Sequence, residues 1–126
     1  CRTINEKISL MGLITIEDTA VYLNQDHYFT KLKAQLSKDF GAEDFDMALD
    51  NLMFEDASRL NAIISQYLTY LESQNTETFF QILYRIDIPE PDFKAQILNN
   101  GIDIQALSEL VIKRELIKIL LREQYS

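Results

Sequence analysis

Residues Asn75–Arg122 read NTETFFQILYRIDIPEPDFKAQILNNGIDIQALSELVIKRELIKILLR, and they decide the fold because they hold the strongest helical apolar pattern and both prolines. Asn75 or Thr76 supplies the side-chain oxygen that an N-cap needs, and Glu77 falls near the positive end of the helix dipole. The apolar residues that follow at helical spacing predict one buried face: Phe79, Ile82, Leu83 and Ile86.

The same helix has a second apolar side, formed by Phe80 and Tyr84, with Asp87 aligned with them. A helix that is apolar on two sides is packed on two sides, so we expect this helix to be central. It is expected to end at Ile88, because the residue before Pro89 is pushed toward extended geometry.

A short helix is predicted next, because Pro91 suits the first turn of a helix. This helix is expected to run through Phe93, Ile97 and Leu98. The residues NNG at positions 99–101 then indicate a helix stop and a turn.

The last predicted helix begins after Asp103, which acts as its cap. Its apolar residues lie on two sides, with Leu107, Leu110, Val111, Ile117 and Leu121 on one and Ile112, Leu116, Ile119 and Leu120 on the other. Arg114 projects into the first side, close to Lys118, where a charge needs a partner or a route to water. We predict a partly buried ion pair between Arg114 and Asp87. An anion-binding site at Arg114 is the alternative.

The first half of the chain is predicted to form helices that pack against the second half. Capping patterns occur at 3–6 and at Thr15, and Asp26 can cap the helix that follows it. Gly41 is expected to end that helix, and Asp56 or Ser58 can begin the last helix of this half. The apolar stripes are Ile4, Ile8 and Met11; Ile16, Ala20 and Leu23; Phe29, Leu32, Leu36 and Phe40; Phe45, Ala48, Leu49, Leu52 and Met53; and Leu60, Ile63, Ile64, Tyr67, Leu68 and Leu71.

Two of these helices have the outline of a helix-turn-helix, at Ile14–Leu23 and His27–Leu36. The opening LITIEDTAVYLN loosely resembles the first helix of small excisionase-like DNA-binding modules. That resemblance implies that the second helix presents basic and amide groups to base edges, and Lys31, Lys33 and Gln35 are the candidates. Two ordinary helices joined by a polar break explain the same pattern.

The segment 39–58 contains no Lys or Arg. Its acids are Asp39, Glu43, Asp44, Asp46, Asp50, Glu55 and Asp56. A calcium loop would require a glycine at its sharp turn, and the residues DFDMAL at 44–49 have none. The acids either keep the protein soluble or form a contact face for a basic partner.

Composition favours one all-α domain, because 126 residues with three glycines and two prolines offer few turns for a β protein. We predict a compact bundle of six to seven helices over residues 1–126. Residues 1–74 form its N-terminal helices and residues 75–126 form a central helical unit. The net charge of −8 argues against a nucleic-acid partner, which prefers a basic face.

Catalytic and metal-binding patterns are missing from this sequence. The only histidine is His27, the only cysteine is Cys1, and no glycine-rich phosphate loop is present. We therefore predict no catalytic, cofactor-binding or metal-binding residues, and no enzyme activity. A single cysteine excludes an internal disulfide, and the apolar runs are too short to span a bilayer, so we expect a cytoplasmic protein without a membrane partner. The chain starts at Cys1 instead of Met, which suggests a processed or partial product.

The segments FFQILYRIDIPE and ELVIKRELIKILLR resemble a group of short, uncharacterised bacterial helical proteins. Those proteins pair an LYRID-P element with a C-terminal helix of the LI-RE-KI type, and the resemblance covers Asn75–Arg122. It implies an all-helical bacterial protein. It assigns no activity and no role to any residue.

These observations predict a non-enzymatic cytoplasmic module for protein interaction or regulation, with another protein as its partner. Self-association is an option if Phe80, Tyr84, Ile112 and Leu116 are not all covered in a monomer. One alternative is an acidic inhibitor or immunity-type protein that binds a basic partner through 39–56. The other is a helix-turn-helix regulator that uses Ile14–Leu36.

Overall fold

The computed structural model describes residues 16–98 and 101–125, and every structural statement concerns these ranges. They form α1 (Ile16–Leu23), α2 (Asp26–Phe40), α3 (Glu43–Asp50), a 3-10 helix (Phe54–Arg59), α4 (Leu60–Gln74), α5 (Thr76–Ile86), α6 (Glu90–Lys94), β1 (Ile97–Leu98), β2 (Gly101–Ile102) and α7 (Ile104–Tyr125). The predicted all-α bundle is confirmed. The helix predicted near the start, with its cap at 3–6, and the cap at Thr15 lie outside the described residues.

Helix α7 is the centre of the bundle. Four successive residues, Arg114, Glu115, Leu116 and Ile117, are all buried. Each residue advances about 100° around the helix axis, so four in a row require cover on every side. That cover comes from α4, α2, α1 and α5, with α4 as the most extensive neighbour.

The prediction that α5 would be packed on two sides is wrong. Its face of Phe79, Ile82, Leu83 and Ile86 is buried as expected. On the other side Phe80 is half exposed and Tyr84 is 86% exposed. Helix α5 lies at the edge of the bundle, against α4, α2 and α7, and the Phe80 ring lies 5.2 Å from that of Phe79 and 6.2 Å from that of Phe93 in α6, between centroids.

Several helix ends follow the predicted caps. The Asn75 side chain accepts a hydrogen bond from the Thr78 N–H at 3.2 Å, and Asp103 accepts one from the Ala106 N–H at 3.1 Å. Gly41 ends α2 with φ of 59°, a left-handed conformation that glycine adopts without steric cost. Asp26 is not the cap of α2, since Gln25 occupies that position and Asp26 is the first helical residue.

Elsewhere the boundaries differ from the predictions. Helix α6 ends at Lys94, and the residues expected to prolong it form a short antiparallel pair, with Ile97 opposite Ile102 and Leu98 opposite Gly101. Helix α5 ends at Ile86 because Asp87 turns left-handed, with φ of 66°. A 3-10 turn, not an α-helical one, precedes α4.

Among the described residues of the first half, two that were placed on apolar stripes are exposed: Ala20 in α1, and Met53, which follows α3.

Candidate functional site

The acidic segment 39–56 divides into an inward and an outward part. Asp39 is buried, and Asp46 is half-buried with its carboxylate accepting a hydrogen bond from Ser37 Oγ at 2.6 Å. The other five acids are exposed: Glu43, Asp44, Asp50, Glu55 and Asp56. We call these five, together with Met47 and Met53, the acidic surface. It lies on α3, the following loop and the 3-10 helix.

The two methionines make this surface amphipathic. Met47 is 58% exposed and Met53 is 60% exposed, although most large apolar side chains of the described residues are buried. Helix periodicity explains Met47, because it lies three residues after Asp44 and three before Asp50, on the side of α3 opposite the buried Phe45 and Leu49. Methionine is flexible and polarizable, which suits contact with a partner of varied shape.

A series of aromatic rings runs from the core toward the surface beside α3. The Phe40 and Phe45 rings stack at 4.2 Å, Tyr67 lies 5.1 Å from Phe45, and exposed Tyr70 lies 6.4 Å from Tyr67. Burial raises the pKa of the Tyr67 phenol, and the charge of Asp44 adds to the rise. Tyr67 therefore lies near Asp44 in the first turn of α3, and Tyr70 is the exposed end of this aromatic series.

A second candidate region is the seam where α2 and α7 run antiparallel. Polar contacts cross it at three levels. Lys31 Nζ lies 2.7 Å from Glu123 Oε2, Arg122 Nη2 donates to Gln35 Oε1 at 2.9 Å, and Lys118 Nζ donates to Asp39 Oδ2 at 2.9 Å. Spacing of four residues along α2 places its three partners on one helix face.

The innermost level of the seam holds a fully buried acid. Glu115 has a relative accessibility of 0%, and its Oε1 lies 2.9 Å from Lys118 Nζ. Burial raises the pKa of the Glu115 carboxyl to about 9, hydrogen bonding with Asp39 adds to the rise, and Lys118 opposes it.

Burial also acts to raise the pKa of Asp39, but hydrogen bonds from Glu115, Lys118 and Gln35 outweigh it and lower that pKa. At neutral pH Glu115 therefore holds a proton while Asp39 is ionised and paired with Lys118. The buried cluster is then neutral overall.

The outer level of the seam binds one carboxylate with several donors. Besides Lys31, His27 Nε2 lies 2.8 Å from Glu123 Oε2. The hydrogen bond from Lys31 lowers the pKa of the Glu123 carboxyl to about 2, and the hydrogen bond with His27 adds to this effect. His27 is thus part of a helix-to-helix contact.

The predicted ion pair between Arg114 and Asp87 is confirmed. Arg114 Nη2 donates to Asp87 Oδ2 at 3.1 Å, and its Nε donates to the Asp87 carbonyl at 2.9 Å. The Arg114 side chain is 9% exposed, whereas that of Asp87 is 48% exposed. Asp87 is the left-handed residue that follows α5. Its side chain therefore reaches Arg114 from the end of the helix, and not from the helix face on which the sequence pattern placed it.

The candidate DNA-reading residues are engaged within the bundle. Lys33 Nζ donates to the carbonyls of Leu49 and Leu52 at 3.2 and 3.1 Å. Gln35 is buried and also donates to Asp39, and Lys31 is paired with Glu123. Helix α2 therefore uses these side chains to attach α3 and α7.

A groove of about 360 Å³ opens along the solvent side of the seam. Its lining comes from α2 and α7: Lys31, Ala34, Gln35, Lys38, Ile119, Arg122 and Glu123. We call it the seam groove. It places three basic side chains and one acidic side chain around a buried amide.

Of the four residues considered for self-association, Ile112 and Leu116 are buried within the chain. Only Phe80 and Tyr84 remain exposed, so the apolar area available for this purpose is smaller than predicted.

Sequence reasoning missed Glu115 as a member of a site. A signal was present, because Glu115 lies four residues from both Val111 and Ile119 and therefore shares a face with them. An acid at that spacing is expected to be either paired or neutral.

No group of three or more His, Cys, Asp or Glu side chains in the described residues is arranged to hold a metal ion. No helix in the same ranges is both long and apolar enough to cross a membrane. Comparisons with protein-family models, curated proteins and solved structures find no match for this chain. The resemblance of Asn75–Arg122 to short bacterial helical proteins stays a prediction.

Proposed function

We propose that this chain is a non-enzymatic, cytoplasmic protein-interaction module that binds a basic protein partner through the acidic surface. The observation that carries the proposal is the placement of exposed Met47 and Met53 among five exposed acids. Protein interfaces commonly combine an apolar centre containing methionine or aromatic side chains with a polar rim.

Charge complementarity supports a basic partner. The net charge of −8 steers a cationic surface toward the protein, and the five exposed acids lie within 14 successive positions, 43–56, that include no Lys or Arg. An inhibitor or immunity-type protein that neutralises a basic enzyme is the specific form that this surface favours. The helix-turn-helix alternative receives no such support, because Lys33 and Gln35 bond within the bundle.

A matched pair of charge reversals tests the proposal. Asp44→Lys and Glu77→Lys each replace an exposed acid in the first turn of a helix, so both lose the same favourable dipole interaction. Each variant and the wild type are immobilised at low salt and used to capture partners from the lysate of the source cell. The bound protein is identified, purified and titrated against all three.

We expect a basic protein that binds at 1:1 stoichiometry. Asp44→Lys should lower its affinity about tenfold or more, and Glu77→Lys should change the affinity little. Met47→Ser is expected to weaken the same complex without changing its salt dependence. Equal loss in both charge variants, or a partner that is acidic, contradicts the proposal.

A further inference from the structure

We infer that the seam groove binds a small phosphate-bearing molecule, with Lys38 and Arg122 as the groups that hold it. This inference does not depend on the proposed function, because the groove lies on α2 and α7 and the acidic surface lies on α3 and the 3-10 helix. Its basis is an excess of positive charge at one concave place in an acidic protein.

The charge count inside the groove leaves two cations uncompensated. Lys31 and Glu123 neutralise each other at 2.7 Å. Lys38 makes no hydrogen bond or ion pair within the described residues. Arg122 gives one Nη2 hydrogen to Gln35 and retains other N–H donors. A phosphate monoester carries between about −1.5 and −2 at neutral pH, which matches these two charges.

The geometry of the groove suits a compact anion. Lys31, Ala34 and Lys38 follow one face of α2, and the small Ala34 leaves open space between the two lysines. Ile119 supplies an apolar wall, and the buried Gln35 is held in place by bonds to Arg122 and Asp39. A volume of 360 Å³ is at the lower end of the range for small-molecule sites.

Arg122 has the chemistry for phosphate. Its guanidinium is a planar fork that pairs with phosphate oxygens through two parallel bonds, which an ammonium group cannot do. The bond to Gln35 restricts the Arg122 side chain before a ligand arrives, so less side-chain entropy is lost on binding. The groove already stabilises one anion, since Glu123 accepts from both Lys31 and His27.

The test is a titration of the full chain with inorganic phosphate, followed by amide NMR at pH 7.5, with chloride used to hold ionic strength constant. Saturable shifts are expected at residues 31–38 and 119–123. Lys38→Gln should raise the phosphate Kd about tenfold, the usual effect of losing one charge-assisted hydrogen bond. Lys94→Gln is the matched control, because Lys94 is an exposed lysine on α6 paired with Glu90.

A second variant separates recognition from simple charge. Arg122→Lys keeps the positive charge but removes the fork, so it should also weaken phosphate binding. Shifts that never saturate, or the same weakening by Lys94→Gln as by Lys38→Gln, would overturn the inference. Binding of a short DNA duplex that requires Lys38, without binding of phosphate, would overturn it in favour of a nucleic-acid surface.

Discussion

The α2–α7 seam and the acidic surface both contain Asp and Glu side chains, but these are buried in the seam and exposed on the acidic surface. In the seam, Asp39 and Glu115 are buried and in contact with Lys118. On the acidic surface, five carboxylates are exposed on a stretch without any basic residue. Carboxylates in the first region hold two helices together, and those in the second are available to a partner.

The difference shows how burial determines what an acid does. Removing one member of a buried pair leaves a charge without water or partner, which costs several kcal/mol. An exposed acid keeps its hydration, so its removal changes stability little and its main effect is on association. Variants of each region should therefore separate stability from binding.

The largest loss is expected from Lys118→Met in the seam. Lys118 Nζ contacts Asp39, Glu115 and the Arg85 carbonyl, at 2.9, 2.9 and 3.0 Å. Methionine fills similar volume without charge and leaves the buried Asp39 carboxylate without its counter-charge, so the free energy of unfolding should fall by about 3–5 kcal/mol. Urea denaturation measures this change. A loss below about 1 kcal/mol would mean that substituting a charged residue of the seam affects stability no more than substituting one on the surface.

The ion pair joins the buried Arg114 guanidinium to the half-exposed Asp87 carboxylate. Substituting one partner should therefore lower stability by a different amount from substituting the other. Asp87→Asn keeps a residue that tolerates positive φ but leaves a buried guanidinium without its counter-charge, at a cost of about 2 kcal/mol.

Arg114→Met should cost only about 1 kcal/mol, because the half-exposed Asp87 carboxylate regains water. Urea denaturation of both variants measures the difference, and equal losses would contradict the asymmetry.

Glu115→Gln tests the proton in the seam. Folded Glu115 keeps its proton up to a pKa of about 9, whereas in the unfolded chain it ionises above its ordinary 4.5. The folded state binds more protons between these values, so this group makes stability fall as pH rises from 4.5 to 9.

Glutamine is neutral at every pH and should flatten that decline while changing stability little near pH 5. Unfolding free energies at pH 5, 7 and 9 provide the comparison. Parallel pH profiles for the two proteins would show that Glu115 is ionised in the fold.

The smallest effect on stability is expected from Asp50→Lys on the acidic surface. Asp50 is exposed at the end of α3, where a cation interacts favourably with the helix dipole. The free energy of unfolding should change by less than about 0.5 kcal/mol. Thermal denaturation measures it, and a loss of several kcal/mol would place Asp50 in the same class as Asp39.

Local patterns predicted much of this fold. The caps at Asn75 and Asp103, the stop at Gly41 and the buried face of α5 depend on neighbours within one or two turns, and all four are confirmed. The pairing of Arg114 with Asp87 was also predicted, because each charge interrupts an apolar pattern.

Tertiary contacts explain what sequence patterns did not supply. Helix α5 has two apolar sides, but whether Phe80 and Tyr84 are covered depends on which helices lie beside α5. The acidic segment looked uniform, but Asp39 is buried in contact with Lys118 of α7, whereas Asp44 is exposed. The seam groove joins residues more than 80 positions apart, so no local pattern could indicate it.

The central position of α7 also has a consequence for the order in which the chain becomes structured. Glu123 contacts His27 across 96 residues of sequence, and Arg122 contacts Gln35 across 87. Contacts of such long range slow folding, because a large loop must close before they form. During synthesis, α1 to α5 leave the ribosome before α7 exists to cover their apolar faces. Until α7 is synthesised, these apolar faces stay exposed and favour aggregation, and the packing of α7 then buries them.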